Sequence, residues 1–355
     1  MGKILMKGNE AIGAAAIKAG CKYFFGYPIT PQNELPEYMS RELPKVDGVF
    51  LQAESEVAAI NMVYGAAGSG ARVMTSSSSP GIALKQEGIS YIAGAELPCV
   101  IVNIVRGGPG LGGIQPAQSD YYQATRGGGN GDYRHVVYAP STLQETVDLV
   151  MEAFDVADQY RIPVMVIGDG MIGQMMEPVE FKEPKQRDIK PKDWATDGTK
   201  GERDPNIINS LFIDPQELED HVFKLEKKHE IIKQNETRYE AYNVEDADVV
   251  AVAYGTTSRV VKNAIAKCEE EGIKVGLIRP ITLWPFPDEA FEKISDKTKG
   301  ILTVEMSTGQ MIDDVKIAIN GRVPVHFHGR TGGMVPNPND IVEEIKKIAG
   351  GENNG

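Results

Sequence analysis

Short apolar runs alternate, along the first half of the chain, with segments whose apolar residues recur every three or four positions. The runs fall at 22–27, 48–52, 72–75, 98–105, 135–138 and 163–167, and each predicts a strand. Between them the longer period predicts helices: one through Ala11, Ala15 and Ile17 with Asn9 as cap and Gly20 as stop, one over 31–43, and one over 57–67. Another follows Ser76–Gly81, and Ser141-x-x-Gln144 reads as a capping box opening a helix to about 159. Strands alternating with helices predict an α/β domain with a doubly wound parallel sheet covered on both faces. From 180 to 245 Lys and Glu become frequent, and 217–239 carries the sparse apolar stripe of a charged surface helix or hairpin. Alternation resumes at 249–254. There Ser258 is placed to cap a helix carrying Val261, Ala264, Ile265 and Cys268, and the pattern continues through 275–278, 290–294, 301–304, 311–319, 323–327 and 341–348. The expected organisation is a first domain over 1–180, an inter-domain arm over 181–245, a smaller α/β domain over 246–350 and a tail over 351–355. No short repeat and no low-complexity tract interrupts it.

Composition narrows the function classes. A chain of 355 residues with 41% hydrophobic and 25% charged residues has room for two cores. Its net charge of −13, with no long basic run, argues against nucleic acid and anionic membranes as partners. No apolar segment approaches the ~20 residues that span a bilayer, and the N-terminus lacks the pattern of a signal peptide, so the expected location is the cytoplasm. Cys21, Cys99 and Cys268 stand far apart without a C-x-x-C pair, which reads as three free thiols and offers no four-thiolate site. His326 and His328 would share one face of a strand, but no third ligand accompanies them. No metal site is expected in this chain.

In a parallel α/β sheet, ligands bind beyond the carboxyl ends of the strands. That rule selects Thr30, Glu54 or Glu56, the hydroxyls of Ser76–Ser79, and Arg106, at the ends of four successive strands. Around Phe24–Pro31, Thr30 reads as a helix N-cap with Pro31 at the first helical position, a place where free backbone N–H groups can hold a small anion. An ordinary capped turn would look the same, and only the convergence of the other strand ends favours a site.

Several of these stretches resemble the 2-oxoacid:ferredoxin oxidoreductase family. The carrying residues are Gly26-Tyr27-Pro28-Ile29-Thr30-Pro31, Gln52-Ala53-Glu54-Ser55-Glu56, Arg106-Gly107-Gly108-Pro109 and Gln118-Ser119-Asp120. Glu305-Met306-Ser307-Thr308-Gly309-Gln310 and Gly329-Arg330-Thr331-Gly332-Gly333 follow in the second half. The resemblance runs from Lys7 to Ile348 and looks closest to the 3-methyl-2-oxobutanoate (2-ketoisovalerate) type, with the 2-oxoglutarate type next. It implies a subunit carrying the pyrimidine-binding fold of thiamine diphosphate, followed by a transketolase-C-like domain. The implied reaction is a coenzyme A-dependent oxidative decarboxylation of a 2-oxo acid to an acyl-CoA, with reduction of ferredoxin.

The resemblance also distributes roles. A family glutamate hydrogen-bonds the cofactor's pyrimidine ring so that the thiazolium can lose its proton, and alignment of 56–65 with the family's helix without a gap places it on Glu56. Pro28, Ser77 and Ser78 are implied as further cofactor contacts, and Thr30 and Arg106 as ligands of the substrate carboxylate, for which a guanidinium fork is suited. The cofactor's diphosphate half needs a Gly-Asp-Gly turn with an Asn about 25 residues on. Gly168-Asp169-Gly170 looks like that turn, but 190–201 contains no Asn. The implied hetero-oligomer therefore places the diphosphate site and its Mg2+ on a thiamine-diphosphate-binding subunit and the 4Fe-4S clusters on a ferredoxin-like subunit. It also includes a third (gamma) subunit, with coenzyme A as co-substrate.

Two other readings compete. Gly108-x-Gly110-x-x-Gly113 follows a strand and matches the dinucleotide fingerprint of a nucleotide-binding dehydrogenase. It follows the fourth strand rather than the first, Pro109 stiffens it, and 38 glycines make one match cheap. The third reading is a non-catalytic assembly module with vestigial pockets.

Overall fold

The computed structural model describes residues 2–182 and 186–351; of the expected tail only Gly351 is described, and 352–355 lie outside. The first half alternates as the apolar pattern predicts: β1 (Ile4–Lys7), α1 (Gly8–Lys18), β2 (Tyr23–Gly26), α2 (Glu34–Glu42), β3 (Val49–Gln52), α3 (Glu56–Gly68), β4 (Val73–Ser77), α4 (Ser79–Gly94) and β5 (Cys99–Val105). After these come α5 (Tyr121–Arg126), β6 (Val136–Tyr138), α6 (Leu143–Tyr160), β7 (Pro163–Asp169), α7 (Gly170–Gln174) and β8 (Met176–Val179). Six strands form a parallel sheet in the order β6-β7-β5-β4-β2-β3, while β1 pairs with β8 in a separate ribbon. Every residue of β4, β5 and β6 is buried, as continuous Val/Ile runs require when helices cover both faces. From β2 the chain steps outward to β3, then returns to the other side of β2 as β4. Strand order thus reverses between β2 and β4, and such a reversal opens a crevice at the strands' carboxyl ends.

The arm carries one long helix, α8 (Pro215–Glu236), which Asp214 caps by accepting from the N–H groups of Gln216 and Glu217. Arm and α8 donate into the carboxyl ends of three first-half helices. Thr196 N reaches Gly68 O at 2.9 Å, a ring nitrogen of His221 lies 2.7 Å from Gly94 O, and Lys228 Nζ reaches Arg161 O at 3.0 Å. Terminal carbonyls lack partners inside their own helix, so such donors satisfy them. Those ends lie opposite the crevice, because the helices run antiparallel to the strands.

β9 (Tyr239–Tyr242) leads into β10 (Val249–Val252), α9 (Gly255–Glu270), β11 (Val275–Pro280), β12 (Thr282–Trp284), α10 (Asp288–Glu292), β13 (Gly300–Glu305), α11 (Met311–Ile319), β14 (Val325–Gly329) and α12 (Pro338–Gly350). The second sheet has the order β14-β13-β10-β11-β9, parallel except for β9. β12 leaves it and pairs antiparallel with β6, closing an edge of the first sheet. One apolar cluster accordingly runs through both halves, joining Val137 and Leu143 to Leu283 and Phe291. Among the described residues no helix is long and apolar enough to cross a membrane.

Three helix starts differ from the sequence reading. α6 is capped by Thr142, which accepts from Glu145 N, while Glu145 Oε2 accepts from Ser141 N at 2.7 Å. The box is shifted by one residue. α9 opens at Gly255, and Ser258 turns its hydroxyl back to Gly255 O at 2.6 Å. Asn9 lies inside α1 rather than capping it, its amide donating to Pro31 O at 2.9 Å.

Candidate active site at the strand switch

Thr30 ends the loop after β2, but it is not a helix N-cap. α2 begins four residues later, at Glu34. The carbonyls of Thr30 and Pro31, which a helix starting there would use, are taken by distant donors. Arg106 donates to Thr30 O at 3.0 Å, and Asn9 and Gln174 donate to Pro31 O at 2.9 and 3.1 Å. Thr30 stays exposed at the mouth of the crevice, with Asn33 Nδ2 3.4 Å from its hydroxyl, and Pro28 is exposed beside it. Gln32 turns inward and is fully buried. Its Oε1 accepts from Ser76 Oγ at 2.6 Å, and its Nε2 has no partner among the described residues.

β3 delivers the two candidate glutamates. Ser55 caps α3 by accepting from Ala58 N at 3.2 Å, so Glu56 occupies the first helical position with its backbone held. Glu56 is only 7% exposed, whereas Glu54, on the entry to the helix, is exposed. The Glu56 carboxyl presses against α4: a Cβ on Gly81 would lie 2.7 Å from Glu56 Oε1 and 2.0 Å from Ser77 Oγ. Glycine is required there for space. Ser77 Oγ and Ser78 Oγ are buried, and neither finds a hydrogen-bond partner among the described residues.

Arg106 ends β5, 7% exposed. Its terminal nitrogens donate to the carbonyls of Thr30 and Leu111, both at 3.0 Å, and its Nε is buried without a partner among the described residues. Ser79 Oγ lies 3.1 Å from the Arg106 N–H, Ser79 N donates to Asn103 Oδ1 at 3.2 Å, and Asn103 Nδ2 donates to Asp120 at 3.0 Å. Burial pushes the Asp120 carboxyl above its ordinary range, against the pull of Ser79 and Asn103. The loop beyond Arg106 folds back to pair Arg106 with Pro116. No helix follows until Tyr121, so Gly108-x-Gly110-x-x-Gly113 does not open the helix that the dinucleotide fingerprint needs.

The second half closes the crevice. Glu305, buried, accepts from the N–H groups of Gln310, Met311 and Ile312 at the start of α11. Gln310 then donates to Ser119 O at 2.7 Å, and the Gly332–Gly333 turn packs against Gly107. Between the halves lies a cavity of about 960 Å³, bordered by Thr30, Ile114, Met171, Met175, Val260 and Val335. Asp169 of the Gly168-Asp169-Gly170 turn is committed elsewhere. It accepts from Met171 N at 2.8 Å, Ile172 N at 3.2 Å and the Thr256 hydroxyl.

The residues singled out at four strand ends thus come together around the β2–β4 switch, with Pro28 and Thr30 at the rim and Glu56, Ser77, Ser78 and Arg106 beneath. The sequence reading gives Gln32, Asn103 and Lys85 no role in the site. Lys85 left a signal: it sits three residues after Ile82 and four before Ile89, on the apolar row of α4, where a charged residue is out of place.

Residues 14–244 match the family described as pyruvate flavodoxin/ferredoxin oxidoreductase, thiamine diphosphate-binding. Residues 247–341 match pyruvate:ferredoxin oxidoreductase core domain II. Ketoisovalerate oxidoreductase subunit VorB of Methanothermobacter marburgensis is 50% identical, covering 98% of this chain and 99% of its own. The 2-oxoglutarate synthase subunit KorA of Methanocaldococcus jannaschii is 37% identical over 96% and 98%. Among solved structures, the 2-oxoglutarate:ferredoxin oxidoreductase of Magnetococcus marinus, with 2-oxoglutarate, coenzyme A and succinyl-CoA bound, superposes with a TM-score of 0.86 at 28% identity. It covers 98% of this chain, which spans 65% of that one. The chain belongs to the 2-oxoacid:ferredoxin oxidoreductase family, among the subunits that carry its thiamine diphosphate pyrimidine domain.

Proposed function

We propose that this chain is the cofactor-activating subunit of a 3-methyl-2-oxobutanoate:ferredoxin oxidoreductase. The complete complex would convert a branched-chain 2-oxo acid and coenzyme A to an acyl-CoA and carbon dioxide, with reduction of ferredoxin. The observation that carries this reading is the buried Glu56 carboxyl, held on the first turn of α3 against Gly81 at the strand switch. The residues fit the pyrimidine half of thiamine diphosphate. Ser77 Oγ and Ser78 Oγ are buried polar atoms in want of a partner, Glu56 is a buried carboxyl beside them, and Pro28 stands at the rim. When bound, that cofactor supplies a carbon nucleophile whose formation depends on a carboxyl at its pyrimidine ring. Glu56 holds or releases the proton at that ring position, and the packing around it excludes water. Thr30, through its hydroxyl, and Arg106, through donors not spent on carbonyls, orient the substrate carboxylate.

Partner subunits complete the enzyme. Asp169 spends its oxygens on α7 and Thr256, which leaves the diphosphate half and its Mg2+ to a thiamine-diphosphate-binding subunit. The thiols Cys21, Cys99 and Cys268 are each free and buried, as a reducing cytoplasm permits, so the 4Fe-4S clusters fall to a ferredoxin-like subunit, with a gamma subunit beside it. A chain of net charge −13 repels acidic ferredoxin, which favours docking elsewhere on the complex.

The substrate class rests on the 50% identity to a ketoisovalerate oxidoreductase subunit and on the apolar wall beside Thr30. Arg259, which also borders that cavity, pairs with Glu177 at 2.8 Å, so among the described residues a second carboxylate would be buried there without a free cation. The test is made on the complex assembled with its partner subunits, by 2-oxo acid- and coenzyme A-dependent reduction of a viologen dye. Glu56→Gln is expected to abolish turnover with assembly intact, and Glu54→Ala to leave most of it. Near-wild-type turnover by Glu56→Gln would overturn the assignment. A kcat/KM higher for 2-oxoglutarate than for 3-methyl-2-oxobutanoate would move the chain to the 2-oxoglutarate type.

A further inference from the structure

Lys85 has no exposed surface, although it lies in the middle of α4 beneath the candidate site. Its Nζ donates to Thr75 Oγ1 at 2.6 Å and to Ser76 O at 3.0 Å, which pins the head group to the last residues of β4. Thr75 Oγ1 in turn donates to Phe25 O of β2 at 2.6 Å, so the anchor spans the two strands of the switch. Glu56 reaches the same place from α3. Its carboxyl lies against Gly81 and Ser77, and Gly81 is four residues, one helical turn, before Lys85. Ammonium and carboxyl therefore flank the Ser76–Ser77 strand end from two helices, and the Glu56 charge favours the charged form of the lysine. An isolated charge buried at either position would be costly, and each offsets the other.

We propose that Lys85 is the positioning residue of Glu56, its ammonium fixing where the carboxyl sits at the strand switch. This rests on the assignment of Glu56 made above. Lys85 does not touch the substrate; it acts through the glutamate. Burial lowers Lys85 to about 7, while the Glu56 charge pulls the other way. The other titratable group facing it, the Cys99 thiol of β5, is pushed up to about 12 by burial and stays uncharged. As pH rises through neutrality Lys85 loses its charge and Glu56 its counter-charge, so turnover acquires an alkaline limb set by this lysine.

The first test needs no activity. In the full chain labelled with 15N-lysine, the Lys85 Nζ resonance, assigned by its absence from Lys85→Met, is titrated by NMR. Coupling is reciprocal, so Glu56→Gln must lower the Lys85 midpoint, here by about one pH unit. Equal midpoints overturn the proposal. If Lys85→Met does not fold, Lys85→Arg gives the same assignment. In the assembled complex Lys85→Met is expected to lower kcat at least ~10-fold, with KM for the 2-oxo acid within about twofold and the alkaline limb gone. Lys85→Arg, charged throughout, restores part of kcat and moves the limb out of the neutral range. A lysine that only supports the fold would lose stability and leave the limb where it was, and that result also overturns the proposal. Full turnover by Glu56→Gln with the NMR shift present would instead remove the catalytic role of Glu56 and leave the pairing standing.

Discussion

Gly81 shows how much one missing methyl decides. It stands in the first turn of α4 without a positive φ, so its role is space rather than backbone freedom. Alanine there gains up to ~1 kcal/mol of helix propensity and loses ~1–3 kcal/mol to overpacking against Ser77 and Glu56. We expect Gly81→Ala to move the thermal midpoint by only a few degrees while displacing the Glu56 carboxyl. Turnover of the complex should fall ~100-fold, as displacement of a reacting group by about 1 Å does. A variant with unchanged kcat would show that the carboxyl is not confined by α4. The neighbouring loop uses glycine differently: Gly112 has φ +57 and a Cβ there would lie 1.9 Å from Gly107 O, so both conformation and space demand it.

The arm is held to the first half by charge. Glu152 of α6 pairs with Arg187 at 2.6 Å and Arg238 at 2.6 Å, and Glu236 at the end of α8, almost fully buried, pairs with Arg187 at 2.6 Å. Glu96 receives Lys228 at 3.1 Å and Lys224. Burial raises the Glu152 carboxyl, but Arg238 and Arg187 outweigh it and bring it from 4.5 to about 2. Glu96 likewise ends at about 2, burial being outweighed by Lys228 and Lys224. A carboxyl lowered on folding contributes stability that is complete above its unfolded value and lost as pH falls through the folded one. The arm is therefore expected to loosen between pH 4.5 and about 2, read as pepsin cleavage within 186–236 before the sheet is cut. Cleavage spread evenly over the chain would contradict this. Arg187→Met leaves Glu236 with Arg238 and the Tyr160 hydroxyl and should cost about 2–3 kcal/mol in urea unfolding.

Across the whole molecule, Gln118 is the polar joint. Its Nε2 donates to Tyr254 O at 3.0 Å, and its Oε1 accepts from the Thr257 hydroxyl at 2.8 Å and from Met306 N at 3.0 Å. With β12 paired to β6, the two halves share a sheet edge as well as a core. Gln118→Leu strands the Thr257 hydroxyl and Met306 N, while Tyr254 O keeps Ser258 N at 3.3 Å, and is expected to cost about 3 kcal/mol, more than a single lost hydrogen bond. Because the core is continuous, unfolding should remain one transition in both fluorescence and circular dichroism. Two separated transitions in the wild type would show that the halves are independent. The same variant should raise KM for the 2-oxo acid, since the Gly332–Gly333 turn packs on the loop that holds Arg106.

By itself the sequence determined the alternation of strand and helix, the parallel sheet, and the hydroxyl, carboxyl and guanidinium at four strand ends. These follow from periodicity, which records locally which side of each element is buried. It also determined the family, because the strings around Thr30, Glu56, Arg106 and Glu305 are contiguous. Only the tertiary structure decided where α2 begins, because the carbonyls of Thr30 and Pro31 are claimed by Arg106, Asn9 and Gln174 from other parts of the chain. It alone sent β12 to the first sheet, since an apolar run names no partner strand. It also buried Glu56 while leaving Glu54 exposed, and set Lys85 beneath that carboxyl, because the depth of a side chain depends on what packs above it rather than on its neighbours in sequence.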